Sequence, residues 1–65
     1  MTVYIITVYF RTLDTLDIQT VRASDWVNLV YQLEPVIDEM CKRNHSLDVE
    51  IVSIVQGDRN VKEEF

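Results

Sequence analysis

Cysteine occurs once in the 65 residues, at Cys41, so no intrachain disulfide can staple the fold and stability has to come from burial. Glycine also occurs once, at Gly57, which rules out the glycine-rich loops that cradle phosphates. The single histidine, His45, lies four positions after Cys41, a spacing that brings two side chains to one helical face. Protein-held zinc takes three or four ligands, and only Asp38 is near enough in sequence to be a third. Basic residues are scarce. Six Lys and Arg against eleven Asp and Glu leave a net charge of −5 with no cationic cluster, so direct binding to DNA or RNA is not expected. Long apolar runs are missing too. The longest, residues 3–10, is interrupted by Thr7, lacks a preceding basic region and falls far short of the roughly 20 residues that span a bilayer. The expectation from these absences is one small soluble cytoplasmic domain without cofactor or metal.

What the chain does have is one strongly periodic segment, residues 24–44. At about 100° per residue, Trp26, Leu29, Val30, Leu33, Val36, Ile37, Met40 and Cys41 fall on one stripe, which predicts a helix lying on a core. Ser24 is the expected N-cap, with Asp25 in the first turn. Lys42 and Arg43 suit the negative end of the helix dipole, and Asn44 suits a left-handed stop. Pro35 removes one backbone hydrogen bond at a cost of about 3 kcal/mol, but the stripe keeps its phase through it, so one kinked helix is expected rather than two short ones. Val27, Tyr31, Glu34 and Asp38 form a flank beside the stripe.

The remaining segments read as strands. Residues 2–11 place Tyr4, Ile6, Val8 and Phe10 on one face and Val3, Ile5, Thr7 and Tyr9 on the other, apolar enough on both to be central in a sheet. A turn around Asp14 leads to residues 16–22, with Leu16, Ile18 and Thr20 assigned to the buried face and Asp17, Gln19 and Val21 to the other. Residues 47–55 alternate with Leu47, Val49 and Ile51 opposite Asp48, Glu50, Val52 and Ile54. A strand, strand, helix, strand chain with its most apolar strand in the middle gives an α+β domain: a three-stranded antiparallel sheet of order 2-1-3 with one helix on one face. The domain is expected over residues 1–56, followed by a polar tail, 57–65, in which only Val61 and Phe65 could dock.

This layout leaves one sheet face uncovered. Val3, Ile5, Tyr9, Val21, Val52 and Ile54 are the residues expected on it, as a homodimer interface or a contact with another protein. Rows of acids are the second feature. Glu34 and Asp38 at helical spacing lie about 6 Å apart, and Asp48 and Glu50 at strand spacing about 6.6 Å, which lets acids mimic a phosphate backbone. Tyr31, Glu34, Asp38, Glu39, Asp48 and Glu50 are therefore the candidate partner-binding residues, with Tyr31 as the aromatic anchor. No residue set suggests catalysis, since paired carboxylates need a pocket that separates their pKa values and a domain this thin offers little depth. The functional expectation is a small acidic protein-binding module that acts by covering a larger protein with a basic surface. By size and charge alone, it is of the kind shown by phage-type inhibitors of host nucleic-acid-handling or defence enzymes, an anti-CRISPR protein being one example. Two alternatives are a structural or regulatory homo-oligomeric subunit and, from Cys41 and His45, a small metal protein or enzyme.

Overall fold

A computed structural model describes residues 1–57 of the chain. Strand β1 (Thr2–Phe10), strand β2 (Thr15–Ala23), helix α1 (Trp26–Asn44) and strand β3 (Val49–Gly57) follow one another. The sheet has order β2-β1-β3, with both outer strands antiparallel to β1, the predicted topology. β1 takes the centre because both of its faces are apolar. Tyr4, Ile6, Val8 and Phe10 are buried beneath the helix, while Val3, Ile5, Thr7 and Tyr9, on the far face, are half-buried between neighbouring strands.

The turn between β1 and β2 closes with the Asp14 amide donating to the Arg11 carbonyl at 3.2 Å. Asp14 itself is left-handed, φ 52°, a conformation that Asp tolerates better than most residues. From that position its carboxylate accepts the Tyr9 hydroxyl at 2.5 Å. The hydroxyl is thereby held in its neutral form, and the Tyr9 pKa lies above the ordinary 10.0, chiefly through this bond.

The faces of β2 are the reverse of those expected. Val21 and Ala23 are buried in the core, and Asp17 and Gln19 bond to the helix, so this set faces α1. Leu16, Ile18, Thr20 and Arg22 lie on the uncovered face, opposite Tyr9, Thr7, Ile5 and Val3 in the register. The physical reason is that the acid has a cationic partner inside. Arg43 donates to Asp17 from Nε at 3.2 Å and Nη2 at 2.8 Å, and Asn44 Nδ2 donates at 2.7 Å. Partial burial raises the Asp17 pKa, but Arg43, Asn44 and the Ile18 amide outweigh it and hold the carboxyl below its ordinary 3.8.

β3 corrects a second assignment. Its register runs Ile6 to Ile54 and Thr7 to Ser53, then Val8 to Ile51, leaving Val52 as the extra residue of a bulge. The bulge reverses the phase, so Val49, Ile51 and Ile54 all take the helix side and Glu50, Ser53 and Val55 the outer side. Ile54 packs against the core rather than standing on the uncovered face. The strand also starts later and ends later than expected. Leu47 is exposed ahead of it, and Gly57 pairs with Val3 inside it instead of opening the tail. Residues 58–65, with Val61 and Phe65, lie outside the described part.

α1 is one unbroken helix from Trp26 to Asn44 with Pro35 inside it. Pro35 and Tyr31 are both exposed, so the Tyr31 carbonyl left without its amide partner is within reach of water. Asp25, not Ser24, is the N-cap: its carboxylate accepts the Asn28 amide at 2.9 Å while the Asn28 side chain accepts the Ser24 amide at 3.3 Å. At the other end the left-handed residue is His45, φ 56°, rather than Asn44. The His45 amide donates to Lys42 and the Ser46 amide to Cys41, the paired bonds of a left-handed helix stop. Asn44 instead ties the Met40 carbonyl to Asp17. Leu29, Met40 and Cys41 are buried, with Leu33, Val36 and Ile37 packed at the margin of the core.

Candidate functional site

The placement of α1 over the sheet decides which side chains are free. Gln32 Nε2 donates to the Arg22 carbonyl and Arg43 to Asp17 and Gln19, so the helix is laced along one side to β2, and its backbone lies closer to β2 than to the other strands. A helix is about 10 Å across and three strands span about 14 Å, so one helix drawn toward β2 leaves β3 partly unroofed. Ile51, although on the helix side, is 44% exposed. The helix flank turned away from Gln32 and Arg43 is open as well. Trp26 is 53% exposed, touching Tyr4 edge-on at a centroid distance of 6.0 Å, and Val30 is 47% exposed. Of the apolar stripe expected to be core, Trp26 and Val30 therefore lie at the surface and the other six are buried or packed on the core.

Continuing round the helix from Val30 come Glu34, Val27, Asp38 and Tyr31, all exposed, Tyr31 at 79%. Asp38 lies 3.2 Å from Lys42 one turn on, an exposed pair that contributes little to stability. Glu34 makes no ion pair among the described residues. The structure thus brings Tyr31, Glu34 and Asp38 together on the helix flank beside Val27 and Val30, with Trp26 one turn before Val30.

The other proposed acids fall elsewhere. Glu39 is exposed but lies about 100° round the helix from Asp38, past Tyr31 and about two turns along from it. Asp48 and Glu50 are engaged by Arg11, at 3.0 Å and 3.6 Å, and Thr12 Oγ1 donates to Asp48 at 2.9 Å. The Thr12 hydroxyl first and the Arg11 guanidinium second hold the Asp48 pKa below its ordinary value. These two acids belong to a clasp joining the β1–β2 turn to the start of β3. The sequence signal for Arg11 is slight, because a single arginine after a strand has many possible partners.

Of the residues expected on the uncovered sheet face, Val3, Ile5 and Tyr9 are there, Val52 is exposed at the bulge, and Val21 and Ile54 are on the helix side. Leu16 and Ile18, each 60% exposed, and Val55, 54% exposed, take their place. On this face Val3, Ile5, Tyr9, Leu16, Ile18 and Val55 are interspersed with Thr7, Thr20 and Ser53, and Arg22 and Glu50 stand at its corners.

Cys41 is buried in the core, while His45 is exposed in the helix stop. Among the described residues no group of three His, Cys, Asp or Glu side chains could share a metal ion. Nor is any helix of the described part long and apolar enough to cross a membrane. What this arrangement offers chemically is contact area and charge. No family of known proteins, curated protein or solved structure matches the chain.

Proposed function

We propose that the chain is a protein-binding module that works by covering a basic surface of a larger protein with the free flank of α1. The observation that supports this reading is the grouping of a largely exposed Tyr31 with Glu34 and Asp38 on one flank of α1 that also carries the half-open Val30, with Trp26 one turn before it. An aromatic anchor and apolar margin supply desolvated contact, and the two acids supply sign and orientation. A net charge of −5 steers the module toward a cationic partner. The most concrete form of the reading is occlusion of a nucleic-acid-binding surface, as a phage-type or anti-CRISPR-like inhibitor would do in a host cytoplasm.

The test is capture of a partner from native lysate by the wild type and by charge-reversed variants. Glu34→Lys with Asp38→Lys, and Tyr31→Ala separately, should each weaken capture at least about tenfold. Glu39→Lys, on another side of the same helix, should leave it within about twofold. Equal losses from Glu39→Lys and Glu34→Lys would show a dependence on net charge alone and refute the flank.

A further inference from the structure

Among the described residues, the sheet face turned away from α1 is uncovered and has a charge layout unlike the other surfaces. Its centre is uncharged: Ile5, Thr7, Ile18, Thr20, Ser53 and Val55 alternate across the three strands. Its charged side chains stand at diagonally opposite corners. Arg22, paired with Val3, marks the corner of β2 near Ala23, and Glu50, paired with Tyr9, marks the corner of β3 near the β1–β2 turn. Glu50 keeps Arg11 only at 3.6 Å, with its side chain 55% exposed. Asp14, bonded to Tyr9, adds a further negative charge at the same end.

We propose that this face binds a second copy of the chain, as a two-fold dimer in which Arg22 of each copy meets Glu50 of the other. A two-fold axis lying between the sheets, running across the strands and close to the perpendicular of the Arg22–Glu50 diagonal, brings those corners together while keeping the strands of the two copies within about 30° of each other, and stacks the uncharged centres. Opposite charges at its two ends make the face complementary to a copy of itself, since a two-fold brings each Arg22 to a Glu50. The area fits a reversible dimer. Three strands about 4.8 Å apart and nine residues long at about 3.3 Å each give a footprint of roughly 430 Å² per copy. The total of about 900 Å², somewhat more with surface relief, lies between crystal-type contacts and standard interfaces, the size of a weak, reversible association. The bulge at Val52 interrupts the β3 ladder and disfavours the competing edge-to-edge pairing. The dimer rests on the sheet alone and leaves both α1 flanks exposed on its outer sides, independent of what they bind.

Sedimentation of the full chain over about 1–500 µM, a range suited to a weak association, tests it. The mass should rise from 7.7 kDa toward twice that value. Ile18→Asp should hold the chain monomeric throughout while keeping its circular dichroism spectrum. Arg22→Glu and Glu50→Arg should each raise the dissociation constant about tenfold or more, since each removes two bridges per dimer, and the double variant should return it to within about threefold of wild type. A chain that stays monomeric to about 500 µM overturns the proposal. So does a charge swap that fails to restore association, or a dimer abolished by Val30→Asp and indifferent to Ile18→Asp.

Discussion

Asp17 joins α1 to the edge of the sheet, and its replacement by Asn has a calculable effect. The carboxylate accepts from Arg43 at 2.8 and 3.2 Å and from Asn44 at 2.7 Å. A hydrogen bond to a charged group is worth about 1.5–3 kcal/mol, roughly twice a neutral one, so removing the charge while keeping the shape costs about half of that. Arg43 is 47% exposed, and solvent screening reduces its share further. About 1 kcal/mol remains, a large part of the few kcal/mol that a domain of this size commands, and it lowers Tm by about 4–8 °C. The sign with pH is fixed by the depressed pKa. Asp17 is ionised more readily folded than unfolded, so its contribution is complete above about pH 5 and is lost as pH falls through the folded value below 3.8. Urea melts of wild type and Asp17→Asn, followed by circular dichroism from pH 7 down to pH 2, should therefore differ at neutral pH and converge in acid. Equal stability at pH 7, or a gap that stays constant into acid, would refute this role for Asp17.

Other substitutions examine the two faces and the turn. Val21→Asp buries a charge beside Ala23 and should cost at least about 3 kcal/mol, whereas Ile18→Asp on the monomer should cost under about 1 kcal/mol; similar costs would restore the opposite phase of β2. Asp14→Asn removes the carboxylate that holds the Tyr9 proton, so the midpoint of Tyr9 ionisation, followed by ultraviolet absorbance, should fall toward 10.0, and an unchanged midpoint would place the bond elsewhere. Cys41 is buried, so its reaction with a thiol reagent should require opening of the core and accelerate in parallel with urea unfolding. Fast labelling in the folded state would show the helix C-terminus to be looser than described.

The topology was legible because β1 is apolar on both faces and only a central strand has use for that. Tyr4, Ile6, Val8 and Phe10 were recognisable as core for the same reason, and the helix stripe kept its phase through Pro35. β2 was not legible, since Leu16 and Ile18 compete with Val21 and Ala23 on hydrophobicity alone. What settles the choice is a long-range partner, Arg43, which satisfies Asp17 on the inner side. β3 misled for a local reason: the bulge at Val52 inserts one residue and turns the strand over between Glu50 and Ser53. The caps were each displaced by one residue because Ser24 and Asp25, like Asn44 and His45, both suit their positions, and sequence-based boundaries cannot separate neighbours of that kind. Of the acids, Asp48 and Glu50 are held by Arg11 across the fold, a contact that no spacing in the sequence discloses. The open margin at Trp26 and Val30, by contrast, follows from width alone, because one helix cannot roof three strands.

The central claim is that two surfaces on opposite layers have different occupants: another protein on the flank of α1 and a second copy on the sheet. A photo-crosslinking side chain placed at Tyr31 in one sample and at Ile18 in another, each irradiated in native lysate, addresses both surfaces together. Crosslinking from position 31 to a different protein, and from position 18 to the chain itself, is the result predicted. Position 31 crosslinking only to the chain itself, or position 18 only to a foreign protein, would contradict it.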